Sequence, residues 1–306
     1  MKYLIAVLIF CLVLFLYLHI YFHLKTSNDL EVYTIERPSK EKLEEICDLR
    51  QPVMFQFMNE ELDSVMTLDN INLQYNAFDI KVRDNTDDTS DITEMYLPII
   101  FGEGILLLKN DSRGKFFTEM NSDFLTETGL IRIFRYNDLF LRPPLVSRCM
   151  YDLCSGSINC FTPLRYNINY RNYFYVTEGA VRIKLMPPSA SKYLRPEQDY
   201  DNFEFYSPMN PWNIQNEYKR EFNKIKSLEI TLQKNDILFI PAYWWYSIYY
   251  TKVSTICSFQ YRTYMNTVAV LPTILMSTLQ SLNTKHEVVD KIKNIQKVDI
   301  VREKID

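Results

Sequence analysis

From Tyr3 to Leu24 the chain reads YLIAVLIFCLVLFLYLHIYFHL, with no Lys, Arg, Asp or Glu. A helix of this length, rising about 1.5 Å per residue, is roughly 33 Å long and crosses a hydrocarbon core of about 30 Å. Tyr17, His19, Tyr21 and His23 gather at its far end, as in an interfacial belt. A cleaved signal is one rival reading. Signal h-regions span about 7 to 15 residues and end at a small-residue site, whereas His23-Leu24-Lys25-Thr26-Ser27 follows here. A buried core helix is the other rival. The pattern predicts a transmembrane anchor over 3–24 and a polar juxtamembrane linker over 25–34. Lys25, Arg37, Lys40 and Lys42 follow the span and only Lys2 precedes it, which predicts a cytosolic soluble domain.

Beyond the linker the apolar positions change period. Ser39 to Ile46 reads as an amphipathic helix with Ser39 as N-cap and Glu41 in the first turn. Val53–Phe57 and Asp79–Arg83 read as strands, 85–91 as an acidic loop, Phe116–Leu125 as a helix and Ile131–Tyr136 as a strand. From about residue 140 short apolar runs alternate with turn residues. The predicted strands are Tyr173–Thr177, Val181–Met186, Leu228–Leu232, Ile237–Ile240, Tyr246–Tyr250 and Ser254–Arg262. Strands at this spacing point to a sandwich or barrel. The insert from Pro187 to Phe222 carries Tyr193, Tyr200, Phe203, Phe205, Tyr206 and Trp212. It is expected to form a loop packed over the barrel, with aromatic anchors for a partner. Thr267–Leu282 is too short and too rich in Thr, Ser and Gln for a second span. It reads as a buried or dimerising helix, followed by a charged tail from Lys285.

Composition narrows the chemistry. The formal net charge of -4 provides no basic field, so no nucleic-acid partner is expected. Cys47, Cys149, Cys154, Cys160 and Cys257 form an odd set outside the span, with no C-x-x-C pair, which suits buried thiols better than a disulfide framework. Asn110-Asp111-Ser112 is a glycosylation sequon that matters only if the domain is translocated. No G-x-S-x-G, Walker or G-x-G-x-x-G motif occurs. The 3 His are His19, His23 and His286, so none lies between residues 24 and 285. Ser-His and Cys-His catalysis is excluded from that stretch.

Two segments carry a family pattern. The first runs Gly156-Ser157-Ile158-Asn159-Cys160-Phe161-Thr162-Pro163-Leu164-Arg165-Tyr166-Asn167 and continues through Asn172–Val176 to Leu185-Met186-Pro187-Pro188. The second is Asn235-Asp236-Ile237-Leu238-Phe239-Ile240-Pro241-Ala242-Tyr243-Trp244-Trp245-Tyr246. Together they resemble the cupin-like, JmjC-type hydroxylase family, which includes the asparaginyl hydroxylase that modifies hypoxia-inducible factor. The resemblance implies a mainly β fold with flanking helices, a double-stranded β-helix (cupin or jelly-roll barrel), over 35–265. A C-terminal helical extension over 266–306 would follow.

Oxygenases of this family hold Fe(II) with two His and a carboxylate, leaving positions open for 2-oxoglutarate and oxygen. The resemblance places these ligands at positions occupied here by Arg165, Asn167 and Tyr246. Arginine has no acceptor and stays protonated, Asn is neutral, and Tyr ionises only near pH 10. The family's co-substrate lysine falls near Val181, with Arg182 beside it, and the co-substrate-contacting Thr162 is retained. No catalytic residue, metal or cofactor is therefore expected. Thr162, Arg165, Asn167, Arg182 and Tyr246 would line a vestigial pocket, where Arg165 needs a neighbouring carboxylate or a bound small acid. Asp152, Cys154 and Cys160 are the only other metal-ligand candidates, and no second soft cluster joins them.

The favoured reading is a membrane-anchored pseudoenzyme serving as a structural or interaction module. Its expected partners are the membrane, another protein, and a second copy through the C-terminal helix. An atypical iron and 2-oxoglutarate oxygenase and a small-anion binding protein are the alternatives. A Tyr-, Asn- and Ile-rich anchored chain of this kind is similar to proteins of large DNA viruses, which implies a virion membrane as a location.

Overall fold

The computed structural model describes residues 2–85, 96–200 and 202–282. The loop expected over 85–91, apart from Asn85, and the tail from Lys285 lie outside the described residues. Helix α1 (Lys2–Leu24) opens the chain. A mixed region follows, with β1 (Tyr33–Ile35), α2 (Lys40–Cys47), β2 (Val53–Gln56), α3 (Glu60–Val65), α4 (Leu68–Tyr75) and β3 (Asp79–Asp84). It continues through β4 (Leu97–Ile100), α5 (Phe101–Asn110), β5 (Phe116–Thr118), α6 (Ser122–Glu127) and α7 (Ile131–Asn137). Four strands then run in succession: β6 (Val146–Gly156), β7 (Leu164–Tyr166), β8 (Arg171–Glu178) and β9 (Ala180–Met186). The insert contains α8 (Ser191–Leu194), β10 (Glu197–Asp199), β11 (Glu204–Ser207) and α9 (Lys219–Phe222). The remainder is β12 (Leu228–Gln233), β13 (Asp236–Phe239), β14 (Trp245–Tyr250), β15 (Ser254–Thr263), α10 (Tyr264–Ala269) and α11 (Leu271–Ser281).

The strands form two sheets. The larger has the order β1-β2-β13-β8-β15-β6-β5-β3-β4 and the smaller β10-β11-β7-β14-β9-β12. Period-2 alternation decides what each strand buries. Phe174, Val176, Leu238 and Ile256 of the larger sheet meet Val181, Ile183, Leu185, Tyr246, Ile248 and Tyr250 of the smaller in one inner core. Tyr173, Tyr175, Phe239, Phe259 and Tyr261 point the other way, into an outer core roofed by helices α2 to α7. The fold is therefore mainly β with flanking helices, two sheets facing each other as the cupin-like resemblance implies.

Several boundaries differ from those read in the sequence. Residues 131–136 form helix α7 rather than a strand. Leu130, Phe134 and Asp138 recur at helical spacing and are all buried, so packing overrides the β-branched Ile131 and Ile133. Phe116–Leu125 splits into β5 and α6 around Met120, whose φ is 58°. The Asp152 carboxylate accepts hydrogen bonds from Met120 N (2.8 Å) and Asn121 N (2.7 Å), which holds that break open. The stretch expected as linker is tied to the domain: Asn28 Oδ1 accepts from Ser189 N, and β1 pairs with β2 from Tyr33 onward.

The insert is not a simple loop. Strand β11 pairs with β7 and extends the smaller sheet. Met209 and Phe222 pack with Trp245 in a small outer core, and Phe205 and Tyr206 are buried. Most of its aromatic residues thus cover the barrel instead of offering a free surface. The C-terminal helix is also not buried. Leu271, Leu275, Leu279 and Leu282 lie 44 to 71% exposed along one face. Helix α1 is long and apolar enough to cross a membrane, and its side chains are exposed apart from the half-buried Leu16, His19 and Ile20 and the buried His23.

Candidate functional site

Arg165 and Asn167 meet Tyr246, 79 residues beyond Asn167, inside the barrel. Strand β7 pairs with β14 so that Arg165 lies opposite Tyr246. The Arg165 guanidinium stands 5.6 Å from the Tyr246 ring centroid, and Asn167 Nδ2 donates to Tyr246 Oη at 3.2 Å. Leu164 and Trp245 point outward into the small core under the insert. The alternation of the two strands thus delivers all three site side chains to the same inner space.

A buried ion cluster fills that space. Glu119, just after β5, takes Arg165 in a bidentate pair, with Nη1 to Oε1 at 2.7 Å and Nη2 to Oε2 as the second bond. Glu204, at the start of β11, lies 3.5 Å from Arg165 Nη1 and 3.3 Å from Arg83 Nη1. The Tyr96 hydroxyl bridges the two carboxylates, 2.7 Å from Glu119 Oε1 and 2.9 Å from Glu204 Oε1. Glu119 is 3% exposed and Glu204 8%, so water does not screen these charges well. The cluster joins β3, β5, β7 and β11 and so ties the two sheets together.

The protonation states follow. Burial works against the Glu119 charge, yet Arg165 beside it holds its carboxyl below the usual range. Burial likewise opposes the Arg165 charge, but Glu119 and Glu204 hold it well above the ordinary guanidinium value. Burial pushes the Tyr246 phenol up to about 12, so it is neutral at pH 7. Burial also lifts Asp152 up to about 6, against the backbone N–H groups of Asn121 and Met120.

These residues do not fit an iron centre. A guanidinium, permanently charged and without a lone pair to give, stands where the resemblance implies the first ligand. The Asn167 amide and the neutral Tyr246 phenol bond to each other. Among the described residues, no three His, Cys, Asp or Glu side chains are grouped to hold a metal. Cys154 lies 3.5 Å from Asp152 Oδ2, and burial raises its thiol well above the usual value. Cys160 is raised in the same way. Buried protonated thiols are poor metal ligands.

The other two expected pocket residues stand apart. Arg182 is on β9 between Val181 and Ile183, which point into the inner core, so its own side chain faces outward. There it pairs with Glu229 and lies 5.2 Å from the Trp212 ring. The expectation that Arg182 lines the pocket is corrected by strand alternation. Thr162 is 1% exposed, and its Oγ1 accepts from Ile248 N at 2.9 Å, so the hydroxyl is committed to the β14 backbone.

Residues 143–267 match the family described as the cupin-like domain. This cupin-like stretch holds β6 to β15 and with them Arg165, Asn167 and Tyr246. Glu119, Tyr96 and Arg83 reach the site from outside it. The chain is also similar to HSPB1-associated protein 1 of Bos taurus and of Homo sapiens, 27% identical over 94 residues in each case. That stretch is 30% of this chain and 19% of either relative. The Rattus norvegicus protein of the same name is 27% identical over the same length, 20% of that relative. The chain spans about a fifth of the length of the curated relatives it matches.

Glu119, Glu204, Arg83 and Tyr96 were not among the residues singled out in the sequence. Each is an ordinary polar residue in a segment read for other reasons, and Glu119 is 46 residues away from Arg165. The one available signal was the need of a buried Arg165 for an anion, which demands a carboxylate without saying which.

Proposed function

We propose that this chain is a membrane-anchored, non-catalytic cupin-like protein that works as a structural or interaction module. The observation that carries this reading is the bidentate Arg165–Glu119 pair inside the barrel, where the family would hold iron. With Glu204 and Tyr96 added, the cluster satisfies the Arg165 charge internally, which weighs against an anion-binding pocket there. The length and apolarity of α1 support the anchor. Lys25, Arg37, Lys40 and Lys42 after the span support a cytosolic domain. The virion membrane remains the location that the viral resemblance suggests.

A protein partner is supported by the relatives' printed name, an association with HSPB1. The exposed stripe Leu271, Leu275, Leu279 and Leu282 is the surface through which a homodimer of this chain would form. The mass of the full chain in detergent tests the dimer.

Metal analysis of the purified full chain, together with an assay for oxygen-dependent 2-oxoglutarate turnover, tests the non-catalytic reading. The expected result is neither stoichiometric iron or manganese nor turnover. Stoichiometric metal with turnover overturns it.

A further inference from the structure

Where α1 meets the domain, a cleft of about 420 Å³ opens between the helix and the barrel base. Its walls include Leu18, Phe22, His23, Leu145, Tyr170 and Met265. His19, His23, Thr263 and the hydroxyls of Tyr170 and Tyr264 are its polar groups, the rest of the lining is apolar, and two side chains on the barrel side are strongly exposed. Leu145 is 77% exposed and Tyr264 63%, and Tyr264 N donates to Leu145 O, so the two segments form one collar. A soluble surface rarely gathers such groups without something to cover them.

His23 is a polar group in the cleft wall, and an unsatisfied cation lies behind the Phe22 and Tyr170 rings. His23 lines the cleft, is 7% exposed, and has no hydrogen-bond partner at Nδ1. Arg50 is 3% exposed and lies against two lining rings, 4.9 Å from Phe22 and 4.7 Å from Tyr170. Its Nε and Nη2 have no hydrogen-bond partner. Buried donors without acceptors are rare, and a buried guanidinium calls for an anion.

The geometry points to a binding site for one phospholipid of the bilayer, its phosphate facing Arg50 and His23 and one acyl chain in the cleft. This rests on reading α1 as the membrane anchor. Leu18 lies about a turn nearer the span's centre than Phe22 and His23. The apolar wall therefore points into the hydrocarbon and the unsatisfied donors lie at headgroup level. A free phosphate ion would meet the donors but leave the apolar walls uncovered, so the lipid is the occupant that fits both ends.

The test uses the full chain, extracted from membranes and washed with lipid-free detergent, with lipid phosphorus and native mass read per chain. Wild type is expected to retain a single phospholipid. Arg50→Met removes the cation and Met265→Trp fills the cleft. Each should retain about tenfold less or lower, the scale of one lost charge-assisted hydrogen bond. Circular dichroism checks that both variants fold. In wild type a photoreactive acyl chain should crosslink at Leu145 or Met265, an outcome that depends on no variant. Wild type that is carbonate-resistant but retains no lipid, variants that retain as much as wild type, crosslinks confined to the exposed start of α1, or displacement by inorganic phosphate would each overturn the site alone. Release of wild type by alkaline carbonate would overturn the anchor and the site together.

Discussion

Two buried arginines, Arg165 and Arg50, solve the same problem in opposite ways. Arg165 sits among carboxylates that also bond Tyr96, and they hold its charge firmly. Arg50 sits between the Phe22 and Tyr170 rings, and burial pulls it below the ordinary guanidinium value. Ring faces attract a cation by about 1–2 kcal/mol but accept few of its N–H groups. The Arg165 cluster is therefore closed in charge, although the Arg165 Nε has no partner, and the Arg50 site is incomplete. A closed cluster does the work of a structural rivet. An incomplete one leaves hydrogen-bonding capacity for something outside the chain.

Breaking the closed cluster should have the largest effect. Arg165→Met strands Glu119 as a buried charge and leaves Glu204 to Arg83 alone, and a loss of about 3–5 kcal/mol is expected in urea unfolding of the full chain in detergent at pH 8. A loss under about 1 kcal/mol would show that the carboxylates are not held by Arg165. The deficit should shrink toward pH 5, because a carboxylate freed of Arg165 takes up a proton more readily.

The pH profile of wild type sharpens the same contrast. Glu119 is depressed in the folded state, so its contribution is present above about pH 4.3 and is lost as pH falls through its lower folded value. Asp152 is raised to about 6, so its contribution is full below the unfolded value near 3.9 and is lost as pH rises through about 6. Stability should decline between about pH 4 and 6 through Asp152, and Asp152→Asn should flatten that interval in a series of unfolding curves. An unchanged slope would assign the decline to another group.

Smaller effects are expected away from the cluster. Thr162→Val leaves the buried Ile248 N–H without its acceptor and should cost about 1–3 kcal/mol in the same unfolding experiment. Arg50→Met exchanges an unpaired guanidinium for a flexible apolar chain between two rings, and stability should stay within about 1 kcal/mol of wild type. A loss as large as that of Arg165→Met would erase the distinction between the two sites. Arg182→Ala, on the outer face, should change stability by about 0.5 kcal/mol or less, since its pair with Glu229 is well exposed.

The sequence by itself determined the apolar N-terminal helix, the run of β8, β9 and β12 to β15, and the absence of any His from residue 24 to 285. These are legible because they depend on local composition and on period-2 alternation, which neighbours in sequence define. It also indicated that Arg165 requires an anion. Only the tertiary structure decided that Glu119 and Glu204 supply it, that Arg182 faces away, and that 131–137 coils into a helix that buries Phe134. Such outcomes depend on which distant segments share a buried space. There the energy of pairing charges and filling volume outweighs local propensity, and no single stretch of sequence carries it.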